Sequence, residues 1–382
     1  MKKIYLDYAA ATPMDPEVLR AMQPYFSQDF YNPSATYLSA RAAQQDLNDI
    51  RARLAAILGA RPAEIVFTAG ATEANNLAVQ GVMRQHPDAE MLVSAIEHDS
   101  VAGPAELFKH KVIPVSENGK IILNKLSSLI TDNAVLISVM LVNNEIGTIQ
   151  PLKEISRLIK EVRDQRRKKG IGLPLYLHTD AAQAANYLDL HISRLGVDLM
   201  SINGGKIYGP KQSGCLYVKA GIMLQPLIVG GGQEFGLRSG TENLAAAAGL
   251  AKALEDASQR RTEEGNRISE LGDYFEQLAS QKIGGVIVNG SPKHRAPHII
   301  SLTIDGADNE RLMMELDEKG IECAVGSACS ASSDKPSRVL KAIGLSQQQA
   351  RSTLRFSLGR FTTKADIERT VSELAALTGS NR

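Results

Sequence analysis

The sequence predicts an α/β protein: a mainly parallel central sheet covered by helices, with a smaller α/β section after it. Three observations lead there. Near-continuous apolar runs of strand length alternate with segments of helical apolar spacing through the middle of the chain. Apolar strands of this kind, without polar alternation, mark a sheet buried on both faces. The 382 residues are enough for about two domains. The larger is expected over 15–257, and the smaller over 1–14 together with 258–382.

The elements follow in order. EIVFTAG (Glu64 to Gly70) is a β-rich run that opens into ATEANNLAVQGVM, which has helical spacing. MLVSAIEH (Met91 to His98), AVLISVMLVNN (Ala134 to Asn144), LPLYLHTD (Leu173 to Asp180), GVDLMSI (Gly196 to Ile202) and GCLYV (Gly214 to Val218) are further strand-like runs. After 258, SQRRTEEGNRISELGDYFEQLASQ reads as a long exposed helix, HIISLTIDG and IECAVGS as strands, and Thr363 to Leu377 as a closing helix. RDQRRKKG (Arg163 to Gly170) reads as a basic, solvated surface insertion.

Composition narrows the function. A net charge of +1 gives no electrostatic basis for binding nucleic acid or an anionic membrane. No apolar stretch approaches the ~20 residues of a membrane span, and no apolar core follows the initial MKKIYLDYAAATP, so a cytoplasmic protein is expected. The three cysteines, Cys215, Cys323 and Cys329, argue against a disulfide framework, and their spacing fits no usual zinc site. No metal is expected.

The residues with chemistry share one placement. Thr72, His98, Asn144, Asp180 and Lys206 each lie just beyond the carboxyl end of an expected strand. Ligands of open α/β sheets bind at that edge. Lys206 in SINGGKIYGPK, with Asp180 and Gln183 in HTDAAQ, supplies what a pyridoxal ring needs. The lysine forms the Schiff base, and the aspartate keeps the ring nitrogen protonated so that the ring accepts electrons. TAGATEANN (Thr68 to Asn76) is a small-residue turn opening a helix, where backbone N–H groups suit a phosphate. His98 could stack on a planar cofactor and shuttle protons. Arg355, in the apolar run RFSLGRFTT, needs an anion: a substrate carboxylate or an internal acid would serve. Cys215 and Cys323 sit in apolar strands and read as structural. Cys329 sits in VGSACSASSDKPSRVL, a Gly/Ser/Ala-rich loop over about 325–337, where a thiol can be an exposed nucleophile.

Together these runs resemble the cysteine desulfurases of the NifS/IscS type, fold-type I pyridoxal-phosphate (PLP) transferases of the class V aminotransferase group. The resemblance runs from YLDYAAATPMDP through GATEANN, EHDSV, VNNEIG, DAAQ, GGKIYGPK and LRSGT to GSACSAS and RFSLGRFTT. It implies catalytic roles for Cys329, Lys206 and His98. It implies cofactor contacts from Ala71, Thr72, Asn144, Asp180, Gln183, Ser201 and Lys206, and from Thr241 reaching across a homodimer. Arg355, Asn32 and Asn144 would position the carboxylate of L-cysteine. Cys329 would take the substrate's sulfur as a persulfide, release alanine, and pass sulfur to acceptor proteins for iron–sulfur cluster assembly or tRNA thiolation.

There are departures. Where the family has Ser-Gly-His-Lys, this chain has Asn203-Gly204-Gly205-Lys206. Gly205 removes a histidine that helps hold the phosphate, so weaker cofactor retention is expected. A Ser-x-His common near Asn32 reads Thr36-Tyr37 here. A selenocysteine lyase, another PLP lyase or aminotransferase, or a weakly active sulfur-relay scaffold are the alternatives. A transaminase has no use for Cys329, and a scaffold needs none of Lys206, Asp180, Gln183 and Arg355.

Overall fold

The computed structural model describes residues 3–326 and 337–379. Its strands are β1 (Ile4–Tyr5), β2 (Ile65–Thr68), β3 (Glu90–Ser94), β4 (His110–Ile113), β5 (Ala134–Ser138), β6 (Tyr176–Asp180), β7 (Leu199–Asn203), β8 (Gly214–Val218), β9 (Val286–Val288), β10 (Ile299–Ile304), β11 (Ile321–Glu322) and β12 (Thr353–Ser357). Among the described residues, seven form one sheet in the order β2-β8-β7-β6-β5-β3-β4. Its pairings are parallel except where β8 runs against β7 and β2. The carboxyl ends of β2, β3, β5, β6 and β7 therefore open on the same edge. Strands β3, β5 and β8 are buried along their whole length, and β6 and β7 nearly so, because successive side chains enter cores on opposite faces. Ile137, Leu92 and Met200 belong to one cluster; Leu136, Met91 and Leu199 belong to the other. The edge strand β4 was not expected from the sequence: HKVI carries a polar pair at its start and an exposed Val112.

The flanking helices include α1 (Leu38–Leu58), α2 (Ala71–Gln85), α3 (Asp99–Glu106), α4 (Leu152–Lys168), α5 (Leu244–Lys282) and α6 (Lys364–Leu377). Gly70 starts α2 with φ of 122°, a conformation that side chains disfavour, and Glu73 in the first turn complements the helix dipole. Asn243 caps α5 by accepting the Ala246 N–H, and Thr363 with Asp366 forms a capping box on α6. A second apolar core gathers β1, β10, β12 and α6. Helix α5 serves both cores: Leu244, Leu250 and Leu254 pack in the first, Ile268, Phe275 and Ala279 in the second. We propose the two-unit division expected from sequence, with the boundary near 257 lying inside this continuous helix.

One expectation is corrected. Arg163 to Lys168 is no loop but the last turns of α4. Arg166 is buried, and its guanidinium donates to the carbonyls of Thr131 and Ala134 at 2.8 and 2.7 Å. Arg163 pairs with Asp198. Basic residues at a helix C-terminus also meet the dipole favourably.

The loop after β8 is pinned by Glu234. Arg51 of α1 holds it through two hydrogen bonds of 2.7 and 2.6 Å, and the Phe67 N–H donates to it at 2.8 Å. Phe67 and Phe235 lie 4.7 and 5.0 Å from the Arg51 guanidinium. Breaking a buried pair strands the remaining charge, at about 3–5 kcal/mol. Arg51→Met is therefore expected to lower unfolding stability by about that much. The double variant Arg51→Met/Glu234→Gln is expected to lose less than the single one, as read from denaturant midpoints. A double variant as unstable as Arg51→Met would refute the stranded-charge account.

Candidate active site

A cavity of about 180 Å³ opens at the shared carboxyl edge of the sheet. Ala71, Thr72, His98, Asn144, Asp180, Gln183, Lys206 and Arg355 all line it, so one pocket gathers these sequence-expected residues. Each arrives by its own element. Ala71 and Thr72 are the first residues of α2. His98 caps α3, and its Nδ1 accepts the Ser100 N–H at 3.1 Å. Asp180 is the last residue of β6. Lys206 ends a 3-10 turn that follows β7 directly.

Asp180 is buried and accepts the Asn75 amide at 2.7 Å and the Ala182 N–H at 2.8 Å. Among the described residues no cation pairs with it. Lys206 Nζ donates to the Ala10 carbonyl, and the Lys206 carbonyl accepts the Asn186 amide at 2.9 Å. Arg355 is buried and donates to Asp7 Oδ1 at 2.6 Å and to the Asn144 carbonyl at 2.9 Å. Its Nε is buried without a hydrogen-bond partner among the described residues. Arg355 thus has an internal acid and also lines the cavity.

Gln183 is oriented from behind. Its amide donates to the Ala9 carbonyl at 2.8 Å, and His298 Nε2 lies 3.3 Å from its Oε1. Burial, assisted by the Arg355 charge, pushes the His298 pKa down to about 3, so its ring is neutral. That ring stacks on Tyr187 at 4.4 Å. Sequence reasoning missed His298 and Asn75, because contacts behind a site leave no pattern in one chain.

Three expected residues lie elsewhere. Ser201 is corrected: its side chain is fully buried in β7, and its hydroxyl is 3.1 Å from His178 Nε2. Side chains alternate along a strand, and Asn203, two residues on, is the one that lines the cavity. Asn32 is exposed on a loop, where its Oδ1 accepts the Ser34 N–H. Thr241 lines a separate surface recess of about 380 Å³ beside Lys211 and Arg238. Cys329 lies outside the described residues, but the chain on either side of it meets the site. Ala324 exchanges two backbone hydrogen bonds with Arg355, at 3.1 and 2.7 Å. Ser337 donates to Glu145, next to Asn144, and Arg338 pairs with Asp99, next to His98. Burial pushes the thiols of Cys215 and Cys323 up to about 12, which suits structural roles rather than nucleophilic ones.

A profile of the aminotransferase class-V family matches residues 4–370. The chain belongs to the class-V aminotransferase family. It is 38% identical over 380 residues to a cysteine desulfurase IscS from Dictyoglomus turgidum, covering 98% of this chain and 94% of that one. Among solved structures, a NifS-like protein superimposes with a TM-score of 0.90 at 27% identity, covering 99% of this chain and all (100%) of the other. SspA, solved in complex with cysteine, gives a TM-score of 0.81 at 34% identity over 95% of this chain and 100% of its own. The fold is that of the fold-type I PLP-dependent transferases.

The cofactor of this class-V family member is pyridoxal 5′-phosphate, and the cavity suits it. The start of α2 has no capping side chain, so its first N–H groups remain to meet a phosphate. A buried carboxylate with neutral donors alone suits a protonated ring nitrogen. Gly205 is not demanded by packing, since the nearest atom to an added Cβ would be 3.4 Å away.

Glu97 borders the site. Its Oε1 accepts the Met140 N–H at 2.6 Å, and its Oε2 is buried without a partner among the described residues. Burial raises its pKa from 4.5 to about 8, with the nearby Asp180 adding to the rise. Between those values the unfolded chain has lost this proton while the folded chain retains it, so rising pH destabilises the fold by about 1.4 kcal/mol per unit. Glu97→Gln removes that linkage. Its thermal midpoint is expected to match the parent's near pH 4.5 and to exceed it increasingly up to about pH 8. A difference independent of pH would contradict a buried, protonated Glu97.

Proposed function

We propose that this protein is a PLP-dependent L-cysteine desulfurase in which Cys329 receives the sulfur. The observation that carries the reading is the single cavity uniting Lys206, Asp180, Gln183 and His98 with Arg355, between the two flanks of the segment that holds Cys329.

Each residue then has a task. Lys206 would anchor the cofactor covalently and move protons at Nζ. Asp180 would accept the ring N–H, Gln183 would donate to the ring hydroxyl, and His98 would stack on the ring and exchange protons. Ala71, Thr72 and Asn203 hold the phosphate end, with α2's dipole behind them. Arg355, positioned by Asp7, takes the substrate carboxylate, and Asn144 assists. The bound cofactor supplies a ring that accepts electrons. The Cys329 thiolate attacks the substrate sulfur: an S–S bond forms, the C–S bond breaks, and the carbon fragment takes up a proton and leaves as alanine. The persulfide is then passed to an acceptor protein, with iron–sulfur assembly and tRNA thiolation as the expected destinations.

Thr241 supports a homodimer: it lines a recess separate from its own chain's cavity, and its exposure leaves it available to a second copy's phosphate. No helix among the described residues is long and apolar enough to cross a membrane. The scarcity of cysteine favours the cytoplasm.

The deciding experiment measures alanine from L-cysteine under anaerobic, reducing conditions with added PLP. The parent is expected to release alanine, and Cys329→Ser to lose at least ~100-fold, since the nucleophile is gone. Equal rates in both would remove Cys329 from the mechanism and favour a selenocysteine lyase or another PLP lyase. No alanine from a PLP-loaded parent would favour a scaffold role.

A further inference from the structure

Asn75 lies in the second turn of α2, fully buried, beneath the cavity rather than in it. Its amide nitrogen donates twice: to Asp180 Oδ2 at 2.7 Å and to Ser100 Oγ at 2.8 Å. An NH₂ group has two protons, so both are engaged. Ser100 Oγ accepts from Asn75 and lies 2.8 Å from His98 Nδ1, which also accepts the Ser100 N–H at 3.1 Å. An Nδ1 that accepts leaves the proton of a neutral imidazole on Nε2. With Nδ1 as the acceptor of the Ser100 N–H, the directions run amide to carboxylate, amide to hydroxyl, hydroxyl to imidazole.

The amide cannot turn over without placing its oxygen against a carboxylate oxygen. That orientation leaves Asn75 Oδ1 buried without a partner among the described residues. A buried acceptor left unsatisfied is costly and calls for a reason beyond packing.

We propose that Asn75 is a positioning residue that couples Asp180 to His98, fixing the carboxylate's orientation and the imidazole's tautomer through one amide nitrogen. The inference rests on the desulfurase reading, in which both partners touch the cofactor. It adds a link between the group that holds the ring nitrogen and the group on the ring's face: a change at either end is transmitted through Asn75 and Ser100.

The test reads His98 in the cofactor-free protein, by ¹⁵N NMR of histidine-labelled samples, with the His98 signals assigned by their loss in His98→Gln. The parent is expected to show His98 Nδ1 as a hydrogen-bond acceptor. Asn75→Leu keeps the size and removes both donors, so the Nδ1-protonated form is expected to become populated. Asp180→Ala is expected to move the same signals from the far end of the chain. With cofactor and L-cysteine, Asn75→Leu is expected to lower kcat about ten-fold while KM changes less than about two-fold, the scale of one lost hydrogen bond. His98 signals unchanged in Asn75→Leu and Asp180→Ala would overturn the coupling. Should Asn75→Leu fail to fold by circular dichroism, Ser100→Ala carries the measurement, and unchanged signals there overturn it equally. The spectra need neither cofactor nor substrate, so failure of the desulfurase assay and failure of the coupling are separate results.

Discussion

The site depends on one buried carboxylate. Asp180 sits at the buried end of β6, and its oxygens meet the Asn75 amide and the Ala182 N–H. A charge in that position is costly unless hydrogen-bonded and, ultimately, paired. The described chain supplies the hydrogen bonds and no cation. The surrounding architecture supplies the rest: a sheet edge where six strands end together, a helix start without a cap, and a lysine on the next strand's exit. On the proposed reading, the protonated pyridine nitrogen of the cofactor would supply that cation.

Arg355 joins the two cores. Arg355, on β12 of the smaller core, reaches Asp7 near the N-terminus and the Asn144 carbonyl beyond β5 of the larger sheet. On the proposed reading, the residue that would anchor the substrate carboxylate also fastens the smaller core to the larger sheet. Ala324, Ser337 and Arg338 tie the flanks of the cysteine segment to the same few residues. The cavity, Arg355 and the described flanks of the cysteine segment are thus linked by contacts that also hold the fold.

Much of this was legible in the sequence because it is written in local patterns. Buried parallel strands are apolar throughout, and motif residues fall at their carboxyl ends, so Asp180, Lys206, His98 and Thr72 could be placed together. Ser201 could not be separated from Asn203 that way, since strand alternation decides which one faces the ligand and the strand's phase was not fixed. The basic run at 163–168 misled because charge suggests solvent, while Arg166 instead donates its fork to buried carbonyls. Asn75, His298 and Glu97 act through side chains distant in sequence and left no local signal. The edge strand β4 escaped for want of apolar residues.

The most direct test of the account is where the cofactor is bound. The PLP-loaded protein would be reduced with borohydride, digested and mapped by mass spectrometry. The account predicts a pyridoxyl group on Lys206, with the label lost in Lys206→Ala. A label on another lysine, or one that persists in Lys206→Ala, would contradict the assignment of this cavity as the catalytic centre.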